Sequence, residues 1–306
     1  MEEISTIGMS REQWLKEREK GIGGSDGAAI LGLNPYKTAD EVYEDKKGLS
    51  EEQEDNDRMK AGRLFEDAIA QWYSEKEAEK VANVNRILVH PKYSFIRANV
   101  DRRIVGKKKV LECKNVDGFT FRRGDWGEEY TDNVPEYYFI QVHHYMLFPQ
   151  FGEAGDLAAC VGGNQLKTYN FEPDKEIAEM MVETYAHFWD NLEKGIRPDP
   201  QNLDDLKRRW SNTVDDAIEA TDDIVKMAER LADIKATIKN AEAEKEKVLF
   251  ILQGFMKEYS TLNIGGSKAH TWKFQNRTSL DSKKLKEERP EIFSEYQKTS
   301  TFRVFR

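Results

Sequence analysis

Cysteine is scarce in this chain: two in 306 residues, Cys113 and Cys160. Two thiols cannot build a disulfide scaffold or a four-cysteine zinc or iron–sulfur site. Long apolar runs are missing too, and none approaches the roughly 18 residues needed to span a bilayer. The opening MEEISTIGMSREQW has neither the basic start nor the apolar stretch of a secretory signal. An intracellular protein is the expectation. Positive charge is in deficit, with 47 Lys and Arg against 56 Asp and Glu and a formal net charge of −9. That excludes a generally adhesive nucleic-acid coat, because phosphate binding needs a positive surface. It leaves room for a locally basic channel.

What is present changes character once along the chain. Residues 1–205 mix short helical and strand patterns with most of the aromatics, up to a break at Arg197-Pro198-Asp199-Pro200. Residues 206–306 read as a separate appendage. There, apolar residues at Ile224, Met227, Leu231, Ile234 and Ile238, then Val248, Leu252 and Phe255, predict a coiled-coil seam or helical hairpin. Gly265-Gly266 predicts a β-hairpin turn within Thr261–Arg277. Asp281 is placed to cap a short helix, and Thr301–Arg306 alternates like an edge strand. No convergent carboxylates occur in this part, so its expected role is assembly or DNA contact.

The stretch Asp101–Lys114, DRRIVGKKKVLECK, carries the chemistry. Side chains alternate faces along a strand, so Glu112 and Lys114 point one way and Cys113 the other. If Asp101 ends the partner strand of a hairpin, two carboxylates and an ammonium converge. Such a spot suits a hard divalent cation, with a lysine to orient or activate water. A solvated hairpin with outward charges accounts for the same letters.

Three further segments stand out. A helix around Glu12–Lys20 carries Trp14 and Arg18 and feeds the turn Gly21-Ile22-Gly23-Gly24-Ser25-Asp26. Free N–H groups at the start of the next helix would take a phosphate with Arg18, or Ser25 or Asp26 is an ordinary N-cap. Pro35 and Tyr36 are expected to close that helix. A second helix starts at Ala61, with Leu64, Phe65, Ala68, Ile69 and Trp72 apolar and Glu66 beside that face. Its carboxylate either points to solvent or is drawn inward by a metal or a lysine. A third helix, Tyr138–Leu147, holds Gln141 in an apolar stretch, and Gln141 needs partners if buried. Its His143-His144 pair points about 100° apart and reads as packing or surface.

In this order, REKGIGGSD, GRLFEDAIAQWY, NVDRRIVGKKKVLECKN and QVHHYMLF resemble the lambda exonuclease (YqaJ-like) family of phage recombination nucleases. The likeness covers about residues 10–195, with Asn99-Val100-Asp101 where the family has proline-aspartate. It implies an α/β (α+β) restriction-endonuclease-like core of PD-(D/E)xK type, a mixed central sheet flanked by helices. It implies Mg²⁺, one or two ions with Mn²⁺ able to substitute, held by Asp101, Glu112 and the Cys113 backbone carbonyl, with Glu66 completing the surroundings. Lys114 would position the attacking water, and Gln141 would line the site; if its pKa is lowered near the metal, Lys114 can also accept or relay the water's proton. Arg18 and Ser25 would meet a 5′-phosphate. Basic Arg102, Arg103, Lys107 to Lys109, Arg122 and Arg123, with Phe119, Phe121 and Trp126, would flank the site as a DNA surface. Also implied are a 5′-to-3′ activity on double-stranded DNA, a ring-shaped homo-oligomer such as a trimer, a single-strand annealing partner, and a phage or prophage origin in bacterial cytoplasm. A structure-specific or restriction-like endonuclease, or a silent DNA-binding protein of this fold, remains an alternative.

Overall fold

The computed structural model describes residues 2–50, 56–299 and 303–305, and the chain divides into two compact units, Met1–Trp210 and Ser211–Arg306. In chain order the first unit holds β1 (Glu3–Ser5), α1 (Arg11–Glu19), α2 (Gly24–Ile30), α3 (Ala39–Lys46) and α4 (Asp57–Glu77). Then come β2 (Val81–Asn83), β3 (Arg86–Val89), β4 (Arg97–Ala98), β5 (Arg102–Ile104), β6 (Lys109–Val116), α5 (Gly118–Arg123) and α6 (Glu136–Met146). It ends with β7 (Ala154–Val161), β8 (Gln165–Phe171), α7 (Lys175–Glu193) and α8 (Leu203–Arg209).

The expected mixed central sheet is present, in the order β2-β5-β6-β7-β8. β6 and β7 are parallel and the other pairs antiparallel. Parallel neighbours need a crossover, and α5 and α6 supply it. Because β6 is central, both its faces are covered and its side chains sort by parity. Leu111 and Cys113 join Ile69, Ala70 and Tyr73 of α4 in one cluster. Val110 and Val116 join Ile140, Val142 and Tyr145 of α6, with α2 and α7 behind. On α7, Met181, Tyr185, Phe188 and Leu192 are buried at helical spacing, the single stripe that a helix laid on a core requires.

Several boundaries differ from the sequence reading. α4 starts at Asp57, four residues before Ala61, because Asn56 caps it by accepting the Met59 N–H at 3.0 Å. Its buried face is Ile69, Ala70 and Tyr73, while Leu64, Phe65 and Trp72 are 69%, 45% and 38% exposed. α2 closes at Gly32, φ +74°, before Pro35 is reached. The first unit runs to Trp210, beyond both prolines and the expected end at 205. Asp40 of α3, fully buried, binds Arg197 and Arg209, and Asp205 accepts from Thr38 at 3.0 Å.

The second unit holds α9 (Asp222–Met256), β9 (Thr261–Ile264), β10 (Ser267–Thr271), α10 (Ser282–Glu288) and α11 (Pro290–Glu295). α9 is one continuous helix, not a hairpin. β9 and β10 pair across Gly265 and Gly266, both at positive φ as a tight two-residue hairpin requires. Asp281 caps α10, accepting the Lys284 N–H at 2.9 Å. Of the edge strand expected over Thr301–Arg306, residues 303–305 lie within the described chain and form no strand. Among the described residues no helix is long and apolar enough to cross a membrane.

The adjacent histidines of α6 are both core. His143 packs on Phe139 and Phe171, and His144, fully buried, bonds the Arg97 carbonyl through Nε2 at 2.8 Å. Burial holds the His144 pKa down at about 4. A depressed histidine contributes stability that is fully present above its unfolded value near 6.5 and is lost as pH falls through about 4. Chemical denaturation at pH 7.5 and pH 4.0 should show His144→Gln losing about 3 kcal/mol less than wild type over that interval, the free-energy equivalent of the shift.

Candidate active site

Asp101, Glu112, Lys114 and Gln141 meet on the α6 face of the sheet. Asp101 does not end a strand but immediately precedes β5. Arg102 pairs with Leu111 and Arg103 with Val110, so the antiparallel register sets Asp101 across from Glu112. Asp101 Oδ2 accepts the Cys113 N–H at 2.9 Å, which fixes the carboxyl to β6. Glu112, 1% exposed at mid-strand, cannot reach water. Its Oε1 accepts from Gln141 Nε2 at 2.6 Å and lies 2.5 Å from Lys114 Nζ. Its Oε2 is buried with no hydrogen-bond partner. Gln141, on the α6 face turned to β6, spends its amide on Glu112 and on the Tyr145 hydroxyl one turn later, at 2.9 Å. Lys114 Nζ also lies 5.4 Å from the ring centre of Tyr138, a cation–π contact.

The charges oppose one another. Burial first, and then the negative charge of Glu112, push the Asp101 carboxyl up to about 7, against the pull of Lys114 and the Cys113 amide. Burial and the charge of Asp101 also raise Glu66, against Arg102. Burial would lower Lys114, but Glu112 and Asp101 outweigh it and raise its pKa. The two carboxylates thus favour the ammonium form of Lys114, and the lowered pKa expected near a metal would require an ion that offsets them.

Glu66 is drawn inward, by an arginine. Arg102 Nη1 donates to it at 2.5 Å and Nη2 binds Asp67, so Arg102 is 5% exposed and is no DNA contact. Its parity on β5 turns it to the α4 face with Leu111. Lys107 pairs with Glu79, Lys108 with Glu153 and Lys109 with buried Asp156, all at the turn end of β6 and not around the carboxylates. Arg103, Arg122 and Arg123 are exposed, the last 4.2 Å over the ring of Phe119. α5 follows directly on the end of β6, so Arg122 and Arg123 stand beyond Lys114. Phe121 and Trp126 pack together and on to Tyr138 and Tyr169. They are scaffold, while Phe119, 55% exposed, is not.

At the glycine turn, Gly23 is the N-cap, not Ser25 or Asp26, and its N–H is already taken by the Asp26 carboxylate at 3.1 Å. One of the N–H groups expected to be free is thus held by a built-in anion. Arg18 donates to Ser25 Oγ at 3.0 Å and lies 3.7 Å from Asp26. Asp26 is fully buried between Lys46 at 2.6 Å and Lys37 at 3.0 Å. Burial alone would raise its pKa, but Lys46, Lys37 and Arg18 outweigh it and hold the carboxyl well below the usual range. Lys37 also pairs with Asp45 at 2.7 Å, so three basic side chains meet two carboxylates here. A Cβ on Gly24 would lie 2.7 Å from the Tyr145 ring, so only glycine lets this turn approach α6. Gly24, Tyr145, Gln141 and Glu112 thereby form one packed, hydrogen-bonded line from the turn to the carboxylates. Lys37, Lys46 and Tyr145 were not singled out by sequence reasoning, and Asp26 only as part of the glycine turn and a candidate N-cap. Of the first three only Tyr145 had a local signal, its i+4 spacing from Gln141.

The donor set suits a hard cation in part. Glu112 Oε2 is an orphaned buried carboxylate oxygen, and the Asp101–Glu112 repulsion is what a divalent ion relieves. Among the described residues, however, no three His, Cys, Asp or Glu side chains are gathered as a ready ligand set, since Glu66 is engaged by Arg102.

A mixed sheet flanked by helices is also the architecture of LHK-Exo, an alkaline exonuclease from Laribacter hongkongensis. The two share a TM-score of 0.50 at 18% identity, over 65% of this chain and 98% of that one. A model of the YqaJ-like viral recombinase domain matches residues 13–151. Over 308 residues the chain is 35% identical to the uncharacterized protein YqaJ of Bacillus subtilis (strain 168), spanning 97% of this chain and 94% of that protein. The chain belongs to the YqaJ/lambda exonuclease family.

Proposed function

We propose that this protein is a metal-dependent deoxyribonuclease of PD-(D/E)xK type that degrades double-stranded DNA from a 5′ end and leaves 3′ single-stranded tails for recombination. The observation that carries this reading is the pair of half-buried Asp101 and buried Glu112, one oxygen unpartnered and one carboxyl pushed up to about 7, with Lys114 alongside. Asp101, Glu112 and the Cys113 carbonyl would hold the cation, and Glu66 would join them only by releasing Arg102. Mg²⁺, one or two ions with Mn²⁺ as substitute, supplies a lower water pKa and stabilises developing charge on the phosphate. Gln141 holds the Glu112 carboxylate in place. The Lys114 ammonium orients the attacking water and offsets negative charge at phosphorus. Proton acceptance by Lys114 requires its two carboxylate neighbours to be neutralised first. Arg103, Arg122, Arg123 and Phe119 are the exposed groups suited to the DNA backbone. Family membership adds a ring-shaped homo-oligomer, such as a trimer, and a single-strand annealing partner to the proposal.

Linear and covalently closed duplexes, incubated with Mg²⁺ or with EDTA, test the reading. Loss of linear DNA with Mg²⁺ alone and intact circles are expected. Nicking of circles at a comparable rate would establish an endonuclease instead, and binding without cleavage a silent protein.

Arg18 and Ser25 are the proposed grip on a terminal phosphate. A guanidinium makes a forked contact that a shorter side chain cannot reproduce. Arg18→Ala should slow digestion about tenfold or more, as expected for one charge-assisted contact of about 1.5–3 kcal/mol. It should also erase the preference for a 5′-phosphorylated end over a 5′-hydroxyl. Rates on duplexes differing only in that phosphate measure it, and a wild-type enzyme indifferent to the phosphate would remove the pocket.

A further inference from the structure

α9 runs for 35 residues, about 52 Å at 1.5 Å per residue, and only Met256 along it is buried. Ile224, Met227, Leu231, Ile234 and Ile238 follow one another in steps of three and four. The same steps continue without slippage through Ala241, Lys245, Val248, Leu252 and Phe255. One heptad seam therefore runs the length of the helix, with Lys245 its single charged member. Six of its eight large apolar members are exposed, among them Met227 at 62%, Ile238 at 52% and Phe255 at 74%, and Leu231 and Leu252 are half-buried. A strict seam of this length is a surface made for another helix.

We propose that α9 pairs antiparallel with α9 of a second copy of this chain. Two features select that occupant and that direction. The eight large apolar seam side chains on each helix, at about 60–120 Å² apiece from aliphatic transfer energies, cover about 1,000–1,900 Å² across two helices, the size of a specific interface. Charge then sets the direction. In a parallel pair Arg230, before one core position, faces Lys235 of the other helix on both flanks, and Lys245 meets Lys245 in the core. Set antiparallel, with Ile224 across from Phe255, the layers become Met227–Leu252, Leu231–Val248, Ile234–Lys245 and Ile238–Ala241, each occurring twice. Lys235 then flanks Glu242 of the second copy, opposite charges on the same edge. Lys245 lies against Ile234, its stem in the seam and its ammonium free to reach water. The lone lysine fixes orientation by penalising the parallel pair, the use a polar core position serves in coiled coils.

Full-length copies carrying Leu231→Cys or Val248→Cys test this, since the native Cys113 and Cys160 are buried. Oxidation of a one-to-one mixture should give a cross-linked dimer containing one of each variant, and either variant alone should give none. Cross-linking of a single variant with itself would show a parallel pair and overturn the proposal. No cross-link in any sample would overturn it too, leaving the seam to another surface of this chain or to a different protein. Adding Ile238→Asp to both copies should reduce the mixed cross-link at least tenfold with helix content unchanged by circular dichroism. An undiminished cross-link would mean chance collision and equally overturn the pairing.

Discussion

Glu112→Gln is expected to lower DNA cleavage by about 10³-fold or more while the protein stays folded. That is the loss anticipated when several kcal/mol of charge stabilisation leaves the transition state. Glutamine is the appropriate substitute because Glu112 is 1% exposed, and truncation to alanine would add a cavity to the loss of charge. Asp101→Asn should behave the same way in turnover and oppositely in stability. The Asp101 carboxyl titrates near 7 in the folded protein against 3.8 in an ordinary peptide. Its favourable contribution is therefore complete below 3.8 and is lost as pH rises through about 7. At pH 8 in EDTA, Asp101→Asn should accordingly melt higher than wild type by several degrees, about 2–4 °C per kcal/mol. Activity lost together with stability gained marks a site strained for function. Near wild-type cleavage by either variant would refute the metal site.

Lys114→Ala should also abolish turnover, yet should keep the cation. The ammonium sits 2.5 Å from Glu112 Oε1, so its removal frees that carboxylate and, if anything, strengthens metal affinity. Calorimetric titration with Mg²⁺ separates this from the carboxylate variants. A fall in affinity as steep as that of Glu112→Gln would make Lys114 a structural counter-ion with no part in handling water.

The core of this site was legible because its geometry is local. Period-two alternation places Glu112 and Lys114 on one face, a short hairpin returns Asp101 to them, and an amide in an apolar helix announces a buried partner. What the letters did not show depends on partners distant in the chain. Glu66 lies beside its helix's apolar face, and only the fold reveals that Arg102, 36 residues away, takes it. Asp26 resembles a helix cap until Lys46, 20 residues on, turns it into the centre of a cation cluster. α4 was misphased because Leu64 and Phe65 stand out as apolar, whereas the covering strands lie over Ile69, Ala70 and Tyr73. In α9 the period is unmistakable, but a seam names no partner, so neither hairpin nor coiled coil followed from spacing alone.

The central claim is that Asp101 and Glu112 together hold a divalent cation, and Mn²⁺ binding followed by electron paramagnetic resonance measures it directly. Wild-type protein at pH 8 should bind one or two Mn²⁺ per chain, with affinity falling as pH drops below about 7, where protons compete for Asp101. Asp101→Ala and Glu112→Gln should each remove that binding. Stoichiometry and affinity unchanged in Asp101→Ala would contradict the claim.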